Sequence, residues 1–214
     1  MFKVSTESVS GYKEMEIPYT LLSNNESSNS LVIMLPGAGY SAQAPLFHYS
    51  TGVFLNKSFD VLQVNYSYND KFYDDFSMDE ISEAIKNDVG LVIDKVLDDK
   101  SYENFYLIGK SLGTIAMTSE LKRNIFKEAK AVWLTPLIQR DDVFEAMVKS
   151  KHNSLCFIGD NDQHYNSERY EQLVKNKNIV SKLFPNVNHG LQYENDPVNS
   201  IDVLKNVIKE ISEF

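Results

Sequence analysis

The chain has 214 residues, 43% hydrophobic and 24% charged, with a formal net charge of -9 and an isoelectric point near 4.9. That acidic balance argues against nucleic acid and anionic membranes as partners, since both present negative charge. A mean hydropathy of -0.32, no apolar run approaching the roughly 18 residues of a membrane span, and one cysteine, Cys156, inside the apolar run 155–158 fit a globular cytoplasmic protein with no disulfide and no membrane association.

The first ten residues, MFKVSTESVS, lack the basic flank and apolar core of a signal peptide. Over 1–22, Phe2, Val4, Met15, Ile17, Tyr19 and Leu21 recur at strand-like spacing on either side of Gly11. This predicts two antiparallel edge strands, followed by a polar turn over 23–30. Residues 31–35 are continuously apolar, as in a strand covered on both faces, and Pro36, Gly37, Ala38 and Gly39 end it. A helix is expected over 44–57, burying Leu46, Tyr49, Val53 and Phe54, and the next strand contains Val61, Leu62 and Val64. Residues 66–76, YSYNDKFYDDF, hold five aromatics without helical or strand period and read as a loop.

Ser77 and Glu80 form a capping box, after which Ile81, Ala84, Ile85, Val89, Val92, Ile93 and Val96 trace one face of a long helix. A strand over 104–108 leads into Gly109, Lys110, Ser111, Leu112 and Gly113, and a helical pattern follows. Further strands are expected over 131–135, 154–158 and 179–184, with helices over 141–150 and 167–175. Asp196 and Pro197 cap a last helix with Ile201, Leu204, Ile208 and Ile211 on one face. The reading is one domain over 1–214: an α/β three-layer sandwich with a mostly parallel eight-stranded sheet and helices on both faces.

The pentapeptide G-x-S-x-G between strand and helix is a nucleophile elbow, in which a sharp turn projects the serine hydroxyl at the carboxyl end of the sheet. Gly109, Lys110 and Ser111 also resemble the end of a phosphate-binding loop. That loop needs glycine at 104, where this chain has Asn104, and an open segment where it has Phe105, Tyr106, Leu107 and Ile108. The nucleotide reading is therefore rejected. In such sheets ligands bind beyond the carboxyl ends of the strands. There the chain places Ser111, then Asp162 in GDNDQHY with Asp160 as a competing acid, then His189 in PNVNHG.

Through this strand order, the G-x-S-x-G elbow, the G-[DE]-x-D shape of residues 159–162 and the His-Gly after the last strand, the whole chain resembles the α/β-hydrolase superfamily, and within it a small esterase-like serine hydrolase without a large cap. The resemblance implies Ser111 as nucleophile, His189 as base and Asp162 as acid. It implies an oxyanion hole from the backbone of Leu112 and of the loop after the first central strand, where Ala38 is favoured and Gly39 is second; that loop departs from the family by having Pro36 where His is usual. The 18 residues over 136–153 are too few for a cap domain. Tyr40, Tyr66, Tyr68, Pro136 and Leu137 are expected to surround Ser111 as substrate-binding residues. The expected activity is cleavage of a small carboxylic ester or thioester through an acyl-enzyme, with no cofactor and no metal. An acyltransferase or peptidase, or a non-catalytic binding protein, are the alternatives on this fold.

Overall fold

The computed structural model describes residues 2–23 and 28–214; the polar turn expected over 23–30 falls mostly on 24–27 and lies outside the described residues. In chain order the elements are β1 (Lys3–Ser10), β2 (Glu16–Ser23), β3 (Ser30–Leu35), α1 (Pro45–Asn56), β4 (Asp60–Val64), α2 (Met78–Asp99), β5 (Asn104–Lys110), α3 (Gly113–Glu120), β6 (Lys130–Leu134), α4 (Asp141–Val148), β7 (Ser154–Gly159), α5 (Ser167–Leu173), β8 (Ile179–Phe184) and α6 (Pro197–Glu213). The eight strands form one sheet in the order β1-β2-β4-β3-β5-β6-β7-β8. β2 runs antiparallel to both its neighbours, and every pair from β4 to β8 is parallel.

The continuous apolar runs have a direct cause. Successive side chains on a strand point to opposite faces, so a strand covered twice must be apolar at every position. Leu31, Ile33 and Leu35 join one core with Leu107 and Trp133, while Val32 and Met34 join the other with Ile108 and Val132. Helices α2, α3, α4 and α5 cover the first face, and α1 and α6 cover the second. The Ser77 side chain caps α2 by accepting from the Glu80 amide at 3.2 Å, whereas Glu80 turns away to pair with Lys13 at 2.6 Å. Asp196 caps α6 by accepting from the Asn199 amide at 3.0 Å.

Two expected core faces are shifted. In α1, Tyr49 is 54% exposed and Phe47 is buried in its place. In α6, Ile201 is 63% exposed, and the buried stripe runs through Ser200, Val203, Val207 and Ile211. That helix carries two apolar stripes about a third of a turn apart, and packing against α1 and the sheet selects one of them.

The order of β3 and β5 positions the site. From β3 the chain crosses to β4 on one side, and from β5 it crosses to β6 on the other. The carboxyl ends of these adjacent strands therefore flank the crevice where parallel sheets bind ligands.

Candidate active site

At the end of β5 the backbone turns through Ser111, whose φ is +50°. A left-handed non-glycine residue of this kind costs on the order of 1–3 kcal/mol and persists only when its surroundings hold it. Here the Ser111 amide donates to the Leu134 carbonyl at 3.0 Å, and its own carbonyl accepts from the Thr114 amide at 2.9 Å. Gly113 is required by close approach: a Cβ there would stand 2.0 Å from the Leu35 carbonyl oxygen. The elbow is thus pressed against the end of β3, and the serine is left partly exposed at the crevice.

His189, in the loop after β8, reaches Ser111 Oγ with Nε2 at 2.8 Å. Its Nδ1 lies 2.8 Å from Asp162 Oδ2, in the loop after β7. The Asp162 side chain is fully buried, and that of His189 is 27% exposed. The other oxygen of Asp162 accepts from the His164 amide at 2.8 Å. Asp160 does not enter this chain of bonds; its Oδ1 accepts from the Asn186 amide at 2.6 Å and holds the turn after β8. The loop carrying His189 packs so closely on β7 that a Cβ at Gly159 would lie 1.8 Å from the Val187 carbonyl oxygen.

Of the two expected amide sources, Leu112 stands at the N-terminus of α3, where amides have no partner inside the helix and the dipole favours negative charge. In the loop after β3, Gly37 is buried against the elbow; a Cβ on it would lie 3.2 Å from Ser111 Cβ. Ala38 and Gly39 follow as the exposed corner of a tight turn closed by a 3.3 Å bond from the Tyr40 amide to the Gly37 carbonyl.

The expected lining residues divide. Tyr40 lines a cavity of about 400 Å³ together with Leu46, Gly190, Leu191, Tyr193 and Leu204. Its hydroxyl accepts from the Leu46 amide at 2.9 Å. Tyr66 and Tyr68 are core residues, 6% and 7% exposed. Tyr66 donates to the Pro36 carbonyl at 2.6 Å and Tyr68 to Asp88 Oδ2 at 2.5 Å. Their place is explained by ring packing, with Tyr66, Tyr68 and Tyr73 in sequence at centroid separations of 5.1 and 4.7 Å. Pro136 and Leu137 are likewise buried, Leu137 in the core beneath α2 to α5. All four are thus buried rather than exposed at the crevice.

Two more side chains stand beside these groups. The ring of His164 stands edge-on to that of His189, with centroids 4.9 Å apart, and burial, then the His189 charge, lower its pKa. Lys110, the variable residue of the pentapeptide, is 2% exposed and lies among the strand ends. The only signal for it was a charged residue closing an otherwise apolar strand. Among the described residues, no group of three or more His, Cys, Asp and Glu side chains could hold a metal ion, and no helix is long and apolar enough to cross a membrane.

The sheet order, the helices on both faces and the elbow at the end of β5 define the α/β-hydrolase fold, which this chain has. No protein-family model matches the sequence, and no curated protein matches it. Solved structures do match over nearly the whole chain. An esterase of Pyrococcus furiosus is 16% identical, with 99% of this chain and 91% of that one covered and a TM-score of 0.74. Dienelactone hydrolase from Anabaena variabilis is 18% identical, with 99% and 96% covered and a TM-score of 0.71. A serine hydrolase without lid from Xanthomonas campestris is 13% identical, with 97% and 94% covered and a TM-score of 0.68. At such identities the likeness establishes the fold alone.

Proposed function

We propose that this chain is a serine hydrolase that cleaves a small carboxylic ester or thioester through an acyl-enzyme, with Ser111 as nucleophile, His189 as general base and acid, and Asp162 as the carboxylate that orients the imidazole. The observation that carries the reading is the unbroken chain of two 2.8 Å contacts from Ser111 Oγ through His189 to Asp162. A serine hydroxyl is hardly ionised at neutral pH and needs such a base within hydrogen-bond reach.

In the acylation step His189 Nε2 takes the Ser111 proton as Oγ attacks the substrate carbonyl. Asp162 keeps the Nδ1 proton in place and stabilises the imidazolium that forms. The oxygen of the tetrahedral intermediate is stabilised by the Leu112 amide and by the Ala38 amide, with Gly39 as the second choice in that loop; one such donor is worth about 2.7–4 kcal/mol. The imidazolium then protonates the departing alkoxide or thiolate. Water then attacks the acyl carbon as His189 Nε2 takes its proton, and the imidazolium returns that proton to Ser111 Oγ as the acyl–oxygen bond breaks and the acid leaves. The imidazole is 27% exposed, which leaves water a route to it. The esterases and hydrolases among the structural neighbours support the same class.

The test is labelling with a fluorophosphonate probe, comparing the wild type with Ser111→Ala. Label on the wild type and none on the variant is expected. An unlabelled wild type, or equal label on both, overturns the assignment.

A further inference from the structure

Lys110 is the last residue of β5, and the strand before it is apolar because both faces are covered. Burying an ammonium costs several kcal/mol unless its protons and charge are matched. A methionine of similar length would fill the same space without that cost. What the lysine does there is written in its contacts. Nζ donates to Thr135 Oγ1 and to the His189 backbone carbonyl, both at 2.9 Å, and it lies 4.9 Å from the ring centroid of Tyr40.

Each partner comes from a different strand end. Thr135 follows β6, His189 is in the loop after β8, and Tyr40 is in the loop after β3. Asp162, after β7, is the carboxylate whose charge attracts the ammonium, and His164 in the same loop feels its repulsion. Thr135 has a φ of +42°, a genuine outlier for a β-branched residue. Glycine or asparagine would hold that turn more cheaply, but glycine would bring no hydroxyl to the lysine. The loop is tied to the end of β7 before His189, where the Asn161 amide donates to the Val187 carbonyl at 3.1 Å, and closes a turn after it: the Asn188 amide donates to the Gln192 carbonyl and the Leu191 amide to the Asn188 carbonyl, both at 2.9 Å. The turn holds its own shape, and the Lys110 bond ties residue 189 itself to the sheet.

We propose that Lys110 is a positioning residue, a strut that fixes the His189 backbone to the ends of β5 and β6 and so aims the imidazole at Ser111. The proposal rests on the reading of Ser111, His189 and Asp162 as the reacting groups. Lys110 touches neither Ser111 Oγ nor the imidazole nitrogens; it acts through the His189 carbonyl and the Thr135 hydroxyl. Because a displacement of about 1 Å at a reacting group costs roughly 10²-fold in rate, loss of the strut should be felt in the chemical step and not in substrate affinity.

The experiment compares the wild type, Lys110→Met and Thr135→Val, which keeps the branched shape of threonine and removes the acceptor. Three readouts are used: the second-order rate of fluorophosphonate labelling, kcat and KM for a p-nitrophenyl ester, and the low-field NMR signal of the His189 Nδ1 proton. For Lys110→Met, labelling rate and kcat should fall by about 10- to 100-fold with KM nearly unchanged, and the Nδ1 proton signal should broaden or shift. Thr135→Val should show a smaller loss in the same direction. If the wild type carries no label at Ser111, the hydrolase reading fails whatever the variants do. If the wild type is labelled and folded Lys110→Met matches it in labelling, kcat and Nδ1 signal, the strut is overturned and the hydrolase reading stands. Should Lys110→Met not fold, Thr135→Val decides by the same criteria, and loss of fold in both makes Lys110 a stability element and overturns the proposal.

Discussion

Asp162 Oδ2 lies 2.8 Å from His189 Nδ1, whereas Asp160, two residues earlier, accepts from the Asn186 amide. The two carboxylates point to different partners because the chain turns after Gly159, the Asp162 amide donating back to the Gly159 carbonyl at 3.3 Å. Asp162→Asn should keep the fold and lower kcat by about 10⁴-fold, since the amide offers Nδ1 the wrong partner and tautomer. Asp160→Ala should leave kcat within about threefold and cost about 1 kcal/mol of stability, the ordinary worth of one hydrogen bond. Ester kinetics and urea unfolding on both variants check the pair. Equal rate losses would mean that the acid is misassigned.

The Tyr66 hydroxyl holds the loop expected to carry the second oxyanion donor, through its 2.6 Å bond to the Pro36 carbonyl. Tyr66→Phe leaves that buried carbonyl unpaired, at a cost of about 1–3 kcal/mol. If the loop supplies an amide to the developing oxyanion, kcat should fall several-fold with little change in KM. A variant that loses stability with kcat intact would restrict Tyr66 to packing.

Much of this architecture is legible in the sequence because its physical causes are local. Apolar runs at 31–35, 105–108 and 155–158 follow from two-sided burial, and the spacing from Ile81 to Val96 follows from a helix with one covered face. The end-of-strand positions of Ser111 and Asp162 follow from those runs and that of His189 from the strand over 179–184, and the structure brings the three together. What the sequence conceals depends on tertiary contact. Tyr66 and Tyr68 sit in a polar segment that looks like a binding loop, yet their rings fold under it onto α2. Lys110 looks like a solvated charge between two glycines, and only the convergence of four strand ends buries it. The choice between Ile201 and Val203 as the inner edge of α6 rests on which stripe meets α1.

Gly159 shows how tightly the His189 loop is seated. A methyl group there would be 1.8 Å from the Val187 carbonyl oxygen, a backbone atom that cannot turn aside. Gly159→Ala should therefore displace the segment that carries His189, with a loss of several kcal/mol of stability from overpacking. At temperatures where the variant is still folded, fluorophosphonate labelling should be slowed at least as much as in Lys110→Met. Wild-type labelling by a destabilised Gly159→Ala would show that the base is held independently of β7.

Burial pushes the Lys110 pKa down from 10.5 to about 8, against the attraction of Asp162. In the unfolded chain the ordinary lysine value applies. Below about pH 8 the residue is charged in both states, and folding bears the full cost of burying the ammonium. Between about pH 8 and 10.5 the unfolded chain holds a proton that the folded chain has released, so this group makes stability rise with pH. A shift of this size corresponds to roughly 3 kcal/mol. Lys110→Met has no such proton, and the other titrating groups are common to both chains. The stability of the wild type relative to Lys110→Met should therefore improve by up to about 3 kcal/mol between pH 7 and 10.5, measured as the difference in urea-unfolding free energies. Parallel curves would mean that Lys110 keeps an ordinary pKa and that water reaches it. The neutral amine still carries two N–H donors for the His189 carbonyl and the Thr135 hydroxyl, so the strut survives the titration, and the rise in stability need not be matched by a fall in activity.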